Sequence, residues 1–460
     1  MFSGTNRFID NLGSRGVLQV NNNASFTILG RSCFQNNLGS NILLQSSTPS
    51  NPSLISGQVT FLESGSGIVS AFSKLKLEGD IQFTHNNGKL GCKNTIGSTI
   101  TINGSVTMNM NSADTGPAIH SYNSTIHLYG DHNFSHNSAV GHAGTIFVLR
   151  STIYLYGDIS FTSNLTPYRG GAIYAINTEL YLSGRHVYMN NSANKGGVFS
   201  FGLYSVMHFN NLTVAYVNNR AERGAVFHQD DILSSVDCID DPDLPDIDPN
   251  LIRSQCFFSE PVNLNVSQSG NLASDAGNLL FGGNLKRCNR RNADRTFINL
   301  FHTDDSIQNI TSSPYQIAFC KPGTRRELIT EIIPGRLFPI AVPSRRLTTN
   351  TIPGRSFSIS LAGLNQLLQP ISSTVRAEAP VGSKYTVRLG SFQSIQVTNN
   401  SCTELNYRIF TQASSIDLIL YAEGPCNKLG AAAKTVSIKL GPCPDGFQLV
   451  GDECICAGEL

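Results

Sequence analysis

The chain has 460 residues, more than the ~100–200 that one core usually organises, so several domains or a long repeat array are the starting options. Charged residues make up only 14%, and 33 Lys+Arg against 32 Asp+Glu leave a formal net charge of +1, which supplies neither a basic field for nucleic acid nor an acidic tail. With 40% apolar residues, 25 Phe and 14 Tyr, the composition supports a core and argues against wholesale disorder despite 41 glycines.

The N-terminus, Met1-Phe2-Ser3-Gly4-Thr5-Asn6, has neither the basic nor the apolar region of a secretion signal and reads as the middle of a repeat. No run approaches ~18 apolar residues, so any membrane association is expected to come only through segments absent from this chain. Eleven cysteines point to an oxidising setting, extracellular or at the cell surface. Ten N-x-S/T sequons, candidate glycosylation sites at Asn23, Asn103, Asn123, Asn133, Asn164, Asn190, Asn211, Asn265, Asn309 and Asn399, point the same way. The chain is therefore expected to be a piece of a longer extracellular protein.

Between about residues 65 and 230 three segments superimpose without gaps. Thr125-Ile126-His127-Leu128-Tyr129-Gly130-Asp131, Thr152-Ile153-Tyr154-Leu155-Tyr156-Gly157-Asp158 and Glu179-Leu180-Tyr181-Leu182-Ser183-Gly184-Arg185 advance by 27 residues, as do Phe134, Phe161 and Tyr188. Each unit closes with a small-residue turn and a new strand, as in Gly170-Gly171-Ala172-Ile173-Tyr174 and Gly196-Gly197-Val198-Phe199, and degenerate copies reach upstream to Phe26. Apolar residues alternate at period two over runs too short for helices, and the Leu-x-x-Leu-x-Leu frame of leucine-rich repeats is missing. Short strands and bends in ~27 residues predict one coil of a parallel β-helix, with coils stacked ~4.8 Å apart. Asn137, Asn164 and Asn191 recur at one corner and are expected to form a hydrogen-bonded ladder, because an Asn amide both donates and accepts.

Gly170-Gly171-Ala172-Ile173 and Phe161-x-x-Asn164, repeated loosely along the chain, resemble the GGAI and FxxN repeats of the chlamydial polymorphic outer membrane proteins. The resemblance covers about half the chain and implies a right-handed parallel β-helix associated with adhesion. Nothing after residue 325 looks like the translocating barrel of that family. The chain looks closer to large surface proteins of sponges and other simple animals, in which such repeats precede a β-sandwich and an epidermal-growth-factor-like tail.

Further along, residues 235–256 carry six aspartates and three prolines together with Cys238 and Cys256, an acidic loop leaving the solenoid. Its carboxylates are candidate calcium ligands, although the spacing departs from an EF-hand; no other cofactor is expected. Further coils are expected up to residue 322, with Cys288 and Cys320 tying that end together. Residues 323–441 show short alternating runs, among them Phe357-Ser358-Ile359-Ser360-Leu361 and Ile416-Asp417-Leu418-Ile419-Leu420, which predict an antiparallel, immunoglobulin-like sandwich bridged by Cys402 and Cys426. Residues 442–460 resemble part of an epidermal-growth-factor-like module, with Cys443 and Cys454 as the expected pair and Cys456 left over.

Catalysis has to be weighed, because right-handed β-helices include pectate lyases and polygalacturonases, whose chemistry needs clustered acids. Here Asp80, Asp131 and Asp158 repeat after Gly79, Gly130 and Gly157, as turn residues would. His127, His132, His136 and His142 are dense enough to raise a metal site, yet two of them align with Ile159 and Ser163 in the next coil. The expected protein is a non-catalytic scaffold or adhesion protein. Its β-helix flank would offer rows of Tyr, Asn and His to carbohydrate or a cell-surface protein, and a polysaccharide lyase or hydrolase is the alternative.

Overall fold

The computed structural model describes residues 1–12, 17–21, 24–45, 52–89, 91–202, 204–229, 258–259, 262–282, 310–311, 316–321, 327–328, 330–333, 340–343, 346–364, 373–378, 394–397, 402–408, 413–423, 434–451 and 453–456. Every regular element among them is a strand. They form two compact units divided between Thr311 and Ser312.

The first unit is a parallel β-helix. One 11-stranded sheet collects the long strands, from Thr5–Ile9 through Thr99–Asn109, Thr152–Thr162 and Glu179–Met189 to Val262–Ser269. A second 11-stranded sheet collects the short ones, from Leu18–Asn21 through Ile119–Tyr122 and Ile173–Ile176 to Ile310–Thr311. The 27-residue frame maps onto the register without offset: Ile126 lies beside Ile153, Phe134 beside Phe161, and Phe161 beside Tyr188.

Alternation along each long strand turns every second side chain into the lumen. Phe34, Phe61, Phe83, Phe134, Phe161 and Tyr188 therefore form one buried column, with ring centroids 4.6 Å apart between Phe134 and Phe161 and 5.1 Å between Phe161 and Tyr188. Each buried ring removes apolar surface worth about 1.5–3 kcal/mol, and the neighbour above supplies the packing.

Corners are fixed by backbone demands. Gly157 bends its strand at φ 122°, and a Cβ there would lie 2.3 Å from the carbonyl oxygen of Gly130, which itself has φ 116°. Only glycine permits this approach of successive coils. At the next corner the asparagine ladder is built as expected and runs further: Asn86, Asn111, Asn137, Asn164, Asn191 and Asn219 are all buried. Asn164 Nδ2 donates to Phe134 O at 3.0 Å and to Asn191 Oδ1 at 2.9 Å. Its Oδ1 accepts from both the backbone N and Nδ2 of Asn137, each at 3.0 Å. Each amide thus satisfies a coil on either side, and the residue before each rung, such as His136, Ser163 or Asn190, has φ 55°.

An opposing corner carries a second ladder of hydroxyls. The backbone N of Ser98 donates to Ser124 Oγ and that of Ser124 to Ser151 Oγ, both at 3.1 Å. One residue breaks the interior: Lys93 stands between Ile68 and Ile119 in a row that is otherwise aliphatic there, fully buried, with no hydrogen-bond partner for Nζ. Burial alone pushes its pKa well below the ordinary lysine value.

The second unit packs a three-stranded sheet (Gln316–Phe319, Ser356–Leu364, Thr403–Arg408) against a five-stranded one. They share one core, in which Phe319, Ile359 and Leu361 meet Val375, Leu418, Leu420, Val436 and Ile438. Three expectations are corrected. Gln316–Phe319 does not continue the solenoid but pairs antiparallel with Ser356–Leu364, because Phe319 is wanted in this core. Cys320 is bonded to Cys402, not to Cys288, and Cys402 therefore not to Cys426. The sheet is not wholly antiparallel, since Arg346–Thr351 pairs parallel with Lys434–Leu440; more than eighty residues separate them in sequence, ample for a parallel return. The tail forms the hairpin Phe447–Val450 with Glu453–Cys456, and Cys443 is joined to Cys454. The acidic stretch 235–256 with its candidate calcium ligands, and Cys238, Cys256, Cys288 and Cys426, lie outside the described residues.

Candidate functional site

Interior positions of the solenoid are committed to packing, so ligand chemistry must come from the outward positions of the coils. On the long sheet one outward row reads Thr101, His127, Tyr154, Tyr181, His208, each in register with the next. His127 and Tyr154 stack at 4.5 Å, Tyr154 and Tyr181 at 4.7 Å, and Tyr181 and His208 at 4.3 Å, with interplanar angles between 7° and 14°. Tyr129 and Tyr156 flank the row, 5.6 Å apart and tilted by 48°.

Stacking along the axis has a consequence for recognition. Each inner ring spends both faces on its neighbours, so the row offers a partner its rim: phenol hydroxyls and imidazole nitrogens stepping at the coil spacing of ~4.8 Å. Tyr154 and Tyr181 are thus covered on both faces, whereas Tyr129 and Tyr156 are tilted and not stacked on each other. Tyr181 donates its hydroxyl to Glu179 Oε2 at 2.7 Å, a bond that, ahead of burial, pushes its pKa up to about 12. Burial, with the neighbouring Tyr154 and Tyr129, raises the Tyr156 pKa. Partial burial lowers His127 and His208, favouring neutral imidazoles at the ends of the row.

The four histidines raised from sequence are not brought together. His127 is in the outer row, His132 points into the lumen beside Ile159, His136 takes a left-handed corner, and His142 packs against Tyr168 and Tyr174. Among the described residues no three His, Cys, Asp or Glu side chains converge as metal ligands. The asparagine rows divide as well. Asn137, Asn164 and Asn191 are buried rungs, so the Asn164 sequon is closed to a glycan. Asn123, Asn133, Asn190, Asn211 and Asn265 are exposed and Asn103 is partly covered, while Asn23, Asn309 and Asn399 lie outside the described residues.

Sequence reading missed the aromatic row as a unit, although its signal was present: 127, 154, 181 and 208 are one frame position four times over. Comparison with protein-family models, curated proteins and solved structures found no match. The two disulfides among the described residues are compatible with an extracellular protein.

Proposed function

We propose that this chain is a non-catalytic extracellular scaffold that binds carbohydrate through the outer face of its long sheet, in the manner of the adhesion-associated β-helix proteins its repeats resemble. The observation that carries this reading is the in-register row His127, Tyr154, Tyr181, His208 with Tyr129 and Tyr156 beside it. Backbone ladders hold the row rigid, so sugar hydroxyls meet donors and acceptors already fixed in space and little ordering entropy opposes binding. The test keeps the rings and removes three hydroxyls of the rim and its flank: Tyr129→Phe, Tyr154→Phe and Tyr156→Phe together. The secreted chain is expected to bind a subset of immobilised glycans, and the triple variant to lose that binding at unchanged thermal midpoint. Glycan binding absent in the parent, or intact in the triple variant, defeats the proposal.

A second reading has one observation in its favour. Asp131, Asp158 and Arg185 share a frame position on three successive coils, which puts two carboxylates and a guanidinium side by side, as polysaccharide-cleaving β-helices require. Arg185 pairs with Asp158 at 2.9 Å, and both are exposed, with side-chain accessibilities of 69% and 51%. Release of reducing or unsaturated ends from acidic polysaccharides, abolished by Asp158→Asn, would favour the enzyme over the scaffold.

A further inference from the structure

The second unit holds a cleft that neither reading of the solenoid uses. Its near wall is the edge strand Arg346–Thr351 with its parallel partner Lys434–Leu440, where Asn350 lies opposite Lys439 and Thr351 opposite Leu440. Beyond Thr351 the chain reverses: Arg355 N donates to Ile352 O at 3.2 Å across Pro353 and Gly354, the latter at φ 80°. Proline followed by a left-handed glycine is the type II turn, and Arg355 beyond it lines the same cleft as Lys439. The turn is braced from outside. Cys454 N donates to Pro353 O at 3.3 Å, and Gly441 N donates to Thr351 O at 2.9 Å. Gly441 and Pro442 run directly into Cys443, whose disulfide to Cys454 closes the brace.

The cleft is open to solvent and has a volume of about 560 Å³, within the ~300–1,000 Å³ of small-molecule sites. Ile352, Phe357 and Leu440 supply an apolar floor, Asn350 a side-chain amide, and Arg355 and Lys439 two positive charges; no acid is among the lining residues. Neither cation has an ion-pair partner among the described residues. A pair of cations over an apolar floor, without an ion-pair partner among the described residues, suits a ligand with an oxyanion at one end and a hydroxylated ring with an apolar face at the other.

We propose that this cleft binds an acidic sugar, a uronic or sulfated residue of an anionic polysaccharide, with Arg355 and Lys439 on the oxyanion and the ring face against Ile352, Phe357 and Leu440. This site stands independently of the aromatic row, and each can fail alone.

Calorimetric titration of the full chain with a sulfated uronic-acid oligosaccharide, its desulfated counterpart, a neutral oligosaccharide of equal length and inorganic sulfate tests it. The acidic oligosaccharide is expected to bind at least tenfold more tightly than the neutral one and than sulfate. Retained affinity after desulfation assigns the contact to the carboxylate and lost affinity to the sulfate, and either supports the site. Arg355→Gln with Lys439→Gln is expected to weaken binding tenfold or more, whereas Arg31→Gln, an exposed cation on the solenoid, changes nothing. Gly441→Leu separates shape from charge. A Cβ there meets only Ile352 Cγ2 at 3.8 Å and Thr351 O at 3.9 Å, ordinary contacts beside two residues that line the cleft. That variant is expected to keep its thermal midpoint and lose the ligand. Equal affinity for neutral and acidic oligosaccharides, sulfate binding as tightly as the sugar, or full binding by folded Gly441→Leu each overturns the proposal.

Discussion

Asn164→Ala tests the ladder where it is most completely satisfied. The wild-type amide makes four hydrogen bonds, two to side-chain amides and two to backbone groups, the carbonyl of Phe134 and the N–H of Asn137. Alanine returns none of them, and both backbone groups sit at a corner where Asn137 and Asn164 are fully buried. An orphaned buried group costs about 1–3 kcal/mol, so two orphans sum to about 4 kcal/mol, near the upper end of single-substitution effects. Denaturant unfolding gives the total, and hydrogen exchange locates it: the amide of Asn137 should lose protection first, because Asn164 Oδ1 is its acceptor. Asn133→Ala, an exposed position of the same coils, should stay within about 0.5 kcal/mol of wild type. An Asn164→Ala protein as stable as the Asn133→Ala control would refute the view that side-chain amides, and not packing alone, close these corners.

Gly4 and Gly157 occupy one column with φ 83° and 122°, yet a Cβ at Gly4 has nothing within 4 Å while one at Gly157 lies 2.3 Å from Gly130 O. Gly4→Ala should therefore cost only the left-handed penalty of about 1–2 kcal/mol and Gly157→Ala clearly more, read as the difference in thermal midpoints. Lys93→Met should raise stability by about 2 kcal/mol, since it removes a buried amine without a partner. With the folded pKa held below the ordinary 10.5, the unfolded chain binds the extra proton, so the wild type gains stability as pH rises towards 10.5 and the variant lacks that slope. His132 and His186 are pushed from 6.5 down to about 4 by burial. Their contribution is lost as pH falls from about 6.5 through 4, and His132→Val, which places the branched residue of neighbouring Val106 at that position, should flatten the fall in denaturation midpoint between pH 7 and 4.5.

What was legible in the sequence was whatever the solenoid must repeat. Phe134, Phe161 and Tyr188 advertise themselves because one missing ring leaves a void in a closed column, and Gly130 and Gly157 because no other residue passes the coil below. The hydroxyl corner of Ser98, Ser124 and Ser151 obeys the same logic but was hidden, since serine has little contrast in a serine-rich chain. Cys443 with Cys454 was read correctly, whereas the Cys320–Cys402 disulfide was illegible for a different reason. Leu361 is flanked by Phe319 on one side and Thr403 on the other. Cys320 and Cys402 therefore meet across the strand that carries Leu361, a relation set by sheet order and invisible to sequence distance.

The same contrast bears on the outer face. The interior aromatic column is nearly continuous from Phe8 to Tyr216, interrupted only by Met108, as a structural requirement should be. The outer row is not. At its frame position the earlier coils carry Leu54, Lys76 and Thr101, and rings occupy it only from His127 to His208. If ring stacking outside the barrel served stability alone, at about 0.5–1.5 kcal/mol per pair, every coil would gain by it. Confinement of the rings to four consecutive coils marks a patch with boundaries, which is what the carbohydrate site proposed above requires of an otherwise repeating surface.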